Sequence, residues 1–333
     1  MKFSVVRQSF LLAFMSLLAL VVVAVYMAPA GVAPADLRAG FSTEELPIAP
    51  LGAYLALFEA SWPLLAKWIA GFLMLVAGAT LARITIRYNL YAINTCLALP
   101  LYGVVMCGAV MGDSMLTAVV GSLLMTWSVK NICLGYRNGF GFDRLFRGAM
   151  WLSILVLLIP AAAPLLLVLL LASAQFRRST REQVVALCGL LLPPLTLCYL
   201  NWALGGDLYA PMIALYRLFL QGEWLGLVMT SALVDRLFFC LLAGATLMAA
   251  LLFSVNSYAL NTKARHVLNF ICQIWLLAFS LPLLPAASVD LLGLFAVPCT
   301  LLLPVLFIRI HYSIARILYP LLVAAAVASL FLR

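Results

Sequence analysis

Charged residues are scarce in this sequence. Only 9% of its 333 residues are Asp, Glu, Lys or Arg, whereas 66% are hydrophobic. A soluble domain carries about 25% charged and about 45–50% apolar residues, so this chain has too little polar surface to face water. That shortage excludes soluble enzymes, nucleic-acid-binding proteins and disordered chains. A mean hydropathy of +1.16 fits a bundle of spanning helices, in which each segment satisfies its own backbone polar groups.

Metal-ligating and cofactor-binding patterns are missing as well. The two histidines, His266 and His311, are too few for a multi-histidine metal site. The eight cysteines lie in apolar stretches and never form a CxxC pair, so we predict that they are small core residues. The sequence contains no GxGxxG, P-loop or HExxH motif. We therefore predict no cofactor, apart from a divalent cation under one hypothesis below.

Long apolar runs predict an all-α, polytopic helix bundle in one integral membrane domain, residues 1–333. The first run, Phe10 to Ala28, is followed by further spans and is predicted to be a retained helix rather than a signal peptide. The stretch between Arg147 and Arg177 is broken by two prolines, which predicts a bent pair of short helices that enters and leaves by one face. With both arms counted, about 11 spans are expected; the other nine lie near 10–28, 64–82, 95–111, 116–134, 184–204, 237–255, 267–284, 289–308 and 317–332.

The distribution of Lys and Arg predicts the orientation. With the N-terminus in the cytoplasm, 15 of the 20 basic residues fall at inner helix ends. This places the chain in a plasma membrane or a bacterial inner membrane, with its C-terminus on the outer, periplasmic side. The predicted outer segments are 29–63 and 205–226, and the predicted inner loops are 83–94, 135–147, 176–183 and 256–266.

Three short strings recur in the same order, which predicts a parallel duplication with halves 1–176 and 177–333. The matched pieces are Ala77–Leu81 with Ala243–Leu247, Asn89–Thr95 with Asn256–Thr262, and Ala49–Trp62 with Ala210–Trp224. The outer stretches 47–62 and 209–224 are rich in Tyr and Trp, which favours amphipathic helices on the outer interface. Such helices would either roof a cavity or only anchor the bundle.

The first outer loop supplies the candidate catalytic residues Asp36, Glu44 and Glu45. Paired carboxylates serve as a general base or hold a divalent cation against a diphosphate. The alternative is an ordinary solvated loop that needs polar residues. Both interpretations fit the sequence alone.

Candidate substrate-binding residues lie elsewhere. Asp235 and Arg236 start an apolar run, where charges are costly unless they are paired or face a cavity. Asp207 follows a predicted span, as Asp36 does. On the inner side, Arg144 and Arg147 belong to an arginine cluster that could bind a phosphate or an anionic lipid, although positive-inside topology alone also explains them.

Part of the chain resembles an uncharacterised family of polytopic inner-membrane proteins of Bacteroidota. The resemblance covers roughly residues 75–205 and is carried by Arg87-Tyr88 before Leu99–Tyr102, Phe146–Gly148 with Pro160, and Arg181-Glu182 with Gly189 and Pro193. It implies a Gram-negative inner membrane and no particular activity. The layout is also similar to that of C-type glycosyltransferases, which use polyprenyl-phosphate sugars; this similarity implies a catalytic carboxylate at Asp36, Glu44 or Glu45.

Three hypotheses follow for function. The first is a membrane enzyme that acts on a lipid-linked glycan precursor at the outer face, with membrane lipids as partners. The second is a transporter or flippase with a cavity between two repeats near Asp235 and Arg236. The third is a non-catalytic scaffold subunit of an envelope assembly machine.

Overall fold

A computed structural model describes residues 9–27, 51–91, 93, 95–109, 115–134, 141–220, 233–284 and 291–331. Within these ranges the chain is helical and contains no strand, as the apolar runs predict. The α-helices in chain order are α1 Phe10–Met27, α2 Leu51–Ser61, α3 Pro63–Tyr88, α4 Ala98–Ala109, α5 Met115–Leu134, α6 Phe142–Leu158, α7 Leu167–Gln175, α8 Thr180–Ala203, α9 Ala210–Leu220, α10 Leu233–Asn256, α11 Thr262–Ser280, α12 Leu292–Arg309 and α13 Tyr312–Phe331. Short 3₁₀ helices cover Pro160–Leu166, Ser257–Ala259 and Leu281–Leu283.

Eight of the described helices are long and apolar enough to cross a membrane. They are α1, α3, α5, α8, α10, α11, α12 and α13. The remaining three predicted spans correspond to shorter helices, namely α4 with 12 residues and the arms α6 and α7 with 17 and 9. The described residues thus contain enough long apolar helices for a polytopic membrane protein.

The proline-broken pair has a defined bend. Helix α6 ends at Leu158, Ile159 is extended with φ −127° and ψ 93°, and Pro160 starts the 3₁₀ segment. A residue that precedes proline is disfavoured in the helical region, which explains the break at Ile159. The two ends of the pair lie close together. Gly141, just before α6, donates its N–H at 3.1 Å to the carboxylate of Glu182, which follows α7 at the start of α8.

Two helices form the centre of the bundle. Within their apolar windows, 89% of α12 and 78% of α5 is buried, compared with 22–28% of α1, α8, α10 and α13. Helix α12 packs against α4, α5, α10 and α11, whereas α5 packs against α3, α6 and α12. The main hydrophobic core contains residues of both predicted halves, from Ala13 to Ala326. The four helices at the periphery of the bundle therefore expose long apolar faces, as lipid-facing helices do.

The short helices α2 and α9 pack beside the bend of the α6–α7 pair. An added Cβ at Gly52 in α2 would lie 2.5 Å from the Leu158 carbonyl oxygen, so α2 begins in direct backbone contact with the end of α6. Helix α9 packs on the Pro160–Leu166 segment and on α8. Both segments predicted to be outer amphipathic stretches thus contain an 11-residue helix at this end of the bundle.

The repeated strings lie in corresponding helices but not in corresponding surroundings. Ala77–Leu81 is in α3 and Ala243–Leu247 is in α10, and in the described part of the chain an 11-residue helix, α2 or α9, lies before each of them. Gly78 packs closely on α1, since an added Cβ would lie 2.8 Å from Leu17, whereas a Cβ added at Gly244 would meet no atom within 4 Å. Helix α8, the counterpart of α1, packs mainly on α6. The duplication remains a prediction from the sequence.

Candidate functional site

A groove opens between α10, α11 and α12. Its volume is about 250 Å³. The 3₁₀ turn Leu281–Leu283 after α11 completes its wall. The lining residues are Arg236, Phe239, Cys240, Leu242, Ala243, Thr246, Trp275, Phe279, Pro282, Leu283, Leu292, Phe295 and Cys299. All three helices come from the second predicted half, so this groove is not a cavity between the two halves.

Aromatic rings build much of the wall. Phe295 in α12 meets Phe239 at 6.2 Å and Phe279 at 6.4 Å between ring centroids, both edge to face. Trp275 stacks on Phe279 at 5.6 Å. Such pairs are favourable beyond their buried area, by about 0.5–1.5 kcal/mol each. They join the three helices and hold the groove in shape.

The hydroxyl group of Thr246, which lines the groove, makes its hydrogen bonds within its own helix. The Thr246 hydroxyl donates to the carbonyls of Leu242 at 2.8 Å and Ala243 at 3.1 Å in α10. Cys299 is buried in α12 as a free thiol. The groove therefore offers an apolar interior and suits a hydrocarbon ligand rather than a polar solute.

Arg236 lies at one end of the groove and Thr246 lies ten residues further along α10. At 1.5 Å per residue this separation is about 15 Å, or about half of a ~30 Å hydrocarbon core. The groove is thus as long as one leaflet is deep. Arg236 is exposed, and Cys240 and Phe279 along the groove are exposed on helices that are long and apolar enough to span a membrane, so the groove is open along one side.

The candidate catalytic residues Asp36, Glu44 and Glu45 lie outside the described residues. Of the dipeptide Asp235-Arg236, Arg236 lines the groove, while Asp235 is described only as part of the α10 backbone. Asp207 is exposed in the turn between α8 and α9, where its backbone carbonyl accepts a hydrogen bond from the Asn201 side chain at 2.7 Å. Only Arg236 of these residues is placed in the groove.

The inner arginines make contacts within the protein. Arg144 donates to the Leu134 carbonyl at 2.8 Å, at the end of α5, and Arg147 pairs with Asp143 at 3.0 Å on an exposed face of α6. Neither of them lines the groove. Their predicted role as phosphate ligands stays a prediction.

Near these arginines, Arg178 and Glu182 form a buried ion pair that the sequence analysis did not predict. Arg178 donates to Glu182 at 3.1 Å, and both side chains are under one tenth exposed. The same carboxylate accepts the N–H groups of Gly141 and Ser179, each at 3.1 Å. Arg178 also reaches the Ile132 carbonyl at 3.4 Å. The Ser-x-x-Glu pattern of a capping box was the available signal.

Glu59 has a structural role. It is 3% exposed in α2, and its carboxylate accepts the backbone N–H groups of Met115 at 3.0 Å and Leu116 at 3.3 Å. These donors lie at the start of α5, where the first four N–H groups have no partner within the helix. Glu59 therefore caps a helix that is distant in sequence and fixes α2 to the bundle.

A second, smaller cavity of about 20 Å³ lies near Tyr91 and Arg309. That space is enough for about one water molecule. The Tyr91 hydroxyl donates to the Leu301 carbonyl of α12 at 2.8 Å. Burial raises the pKa of Tyr91 above its usual value, so it stays a neutral donor. This hydrogen bond joins the segment after α3 to α12.

The described residues contain no cluster of three or more His, Cys, Asp or Glu side chains that could hold a metal ion. The groove is thus the site that the described part of the chain offers. Comparison of the chain with protein-family models, with curated proteins and with solved structures finds no match.

Proposed function

We propose that this chain is a multi-pass protein of the bacterial inner membrane that handles an envelope lipid or a lipid-linked glycan precursor. The observation that carries the proposal is the groove of about 250 Å³ between α10, α11 and α12. Its rings and aliphatic side chains match a hydrocarbon chain, and its side faces the bilayer. Pockets for water-soluble ligands add a few polar groups that fix the ligand's orientation, whereas the Thr246 hydroxyl in this groove already donates to carbonyls of its own helix.

The Lys and Arg distribution supports a cytoplasmic N-terminus, which puts Arg236 at the periplasmic end of α10. The groove then lies in the outer leaflet. The first outer loop, with Asp36, Glu44 and Glu45, is on the same side of the membrane. This shared side favours a glycosyltransferase-like enzyme, in which the groove holds the lipid part and a loop carboxylate acts as the base or holds a divalent cation.

Filling the groove should remove bound lipid. Ala243 lines the groove, so in Ala243→Phe the new ring would occupy the space of a lipid chain. A displaced lipid chain enters bilayer or detergent hydrocarbon rather than water, so its loss comes from steric exclusion and lost packing contacts, and lipid retention should fall below that of the unmodified protein. Native mass spectrometry of protein extracted in mild detergent measures this retention.

The matched control is Ala324→Phe, which adds the same ring to an exposed position of α13 outside the groove. It should retain lipid as the unmodified protein does. An unmodified protein that carries no lipid after extraction would overturn the proposal. If Ala243→Phe and Ala324→Phe retained lipid equally, the lipid would bind outside the groove.

Substitutions on the outer side separate the enzyme from the alternatives. We expect Asp36→Asn, Glu44→Gln or Glu45→Gln to cause accumulation of a lipid-linked precursor in cells that lack the natural copy, at unchanged protein abundance. A transporter would instead be damaged most by Asp235→Asn, and a scaffold would tolerate both sets. Lipid analysis of the complemented cells measures the outcome, and normal lipids in all three loop variants would exclude these carboxylates as catalytic residues.

A further inference from the structure

We propose that the groove selects an anionic, phosphate-bearing lipid, which enters sideways from the outer leaflet, inserts one hydrocarbon chain and places its phosphate at Arg236. This inference rests on the proposed function and names the class of lipid that the groove takes. Three features of the groove support it: its size, the arginine at one end and its open side.

The size of the groove limits what can enter. A volume of about 250 Å³ is below the ~300–1,000 Å³ of pockets that enclose a drug-sized ligand. A two-chain lipid is larger than such a ligand, so only part of it fits. The length of about 15 Å matches the depth of one leaflet. One chain can therefore lie along the groove while the rest of the lipid stays in the bilayer.

The charge at one end selects the headgroup. Arg236 is the one charged side chain among the described residues that line the groove. Arginine binds phosphate through two parallel N–H···O hydrogen bonds, and its five N–H donors allow this alongside a contact within the protein. With the chain in the groove, the lipid phosphate lies at the level of Arg236.

The open side provides the entry route. Cys240 of α10 and Phe279 of α11 are both exposed, and Leu283 after α11 is 46% exposed. All three line the groove. Because α10 and α11 are long, apolar helices whose exposed faces meet lipid, the chain can slide in without crossing water.

Trp275 provides the reporter. It lines the groove, and a brominated lipid chain beside it would quench its fluorescence. The protein has seven tryptophans, so the Trp275 signal is the difference between the unmodified protein and Trp275→Phe. Nanodiscs of phosphatidylcholine would carry the same small fraction of either brominated phosphatidylglycerol or brominated phosphatidylcholine, at ~0.15 M salt to screen long-range attraction.

We expect brominated phosphatidylglycerol to quench Trp275 about fivefold more effectively than brominated phosphatidylcholine, as the attraction of one basic residue to an anionic lipid implies. Arg236→Gln should reduce this ratio to about one. The matched control Arg217→Gln changes an exposed arginine of α9 outside the groove and should keep the fivefold ratio. Millimolar inorganic phosphate should not displace the lipid, because it lacks the chain.

The outcomes separate this inference from the proposed function. Equal quenching of Trp275 by both lipids would overturn the anionic selectivity and leave lipid binding intact. Displacement by inorganic phosphate would overturn a lipid-specific site. If neither lipid quenches Trp275 and native mass spectrometry detects no bound lipid, both proposals fall. A preserved fivefold ratio in Arg236→Gln would contradict the role of Arg236.

Discussion

Gly189→Ala should destabilise the protein strongly. Gly189 lies in α8 where the backbone of α6 comes closest, and an added Cβ would be 2.5 Å from the Phe146 carbonyl oxygen. A backbone atom cannot rotate away, so the two helices must separate. Overpacking costs about 1–3 kcal/mol in a well-packed interior, and close helix contact through small residues is a main source of stability in membranes. A thermal unfolding curve in detergent should show a lower midpoint and a lower folded yield.

Gly244→Ala is the matched control. This glycine is also in the middle of a long apolar helix, but no atom lies within 4 Å of an added Cβ. Alanine favours the helix over glycine by about 1 kcal/mol, so the midpoint should stay the same or rise. If the two variants unfolded at the same temperature, α6 and α8 would not be in contact at this position.

Glu182→Gln should destabilise the protein as much as Gly189→Ala does, or more. The substitution keeps the shape of the side chain but removes the negative charge of the carboxylate to which Arg178, Gly141 and Ser179 donate hydrogen bonds. Breaking a buried pair by removing one charge typically costs about 3–5 kcal/mol, because the other charge stays buried. The variant should therefore unfold well below the unmodified protein in the same thermal assay.

Asp143→Asn tests whether burial is the cause. Asp143 also pairs with an arginine four residues away, but its side chain is 70% exposed. Exposed pairs of this kind contribute about 0.3–0.5 kcal/mol, so this variant should be nearly unchanged. The double variant Arg178→Gln with Glu182→Gln should cost less than the sum of the single changes, since it leaves no unpaired charge. Strict additivity would contradict a coupled pair.

Both predictions concern the frame that supports the groove. Arg178 and Glu182 join the ends of α5, α6 and α8, and the α6–α8 contact at Gly189 continues that junction along the bundle. Helix α12, which forms one wall of the groove, packs on α5. A variant that loosens the frame would therefore lose lipid as well, so lipid-binding assays need a stability measurement beside them.

The sequence predicted the helices well where an apolar run had clear ends. The bend before Pro160 and the capping box at Ser179 have local causes, namely the restricted residue before a proline and the Ser-x-x-Glu spacing. The role of Glu59 has no such cause. Its partners are the N–H groups of Met115 and Leu116, more than 50 residues away. No local sequence pattern predicts that a side chain from a distant helix caps α5.

The sequence by itself therefore determined the class of the molecule. In hydrocarbon only helices or closed barrels satisfy every backbone group, so long apolar runs with few charges leave little choice. Tertiary structure alone decided which apolar residues form the groove. Phe239, Trp275 and Phe295 come from three different helices and meet only when these pack together. Lipid and protein interior are equally apolar, so the pattern of residues along a membrane helix does not distinguish a face that packs from a face that binds.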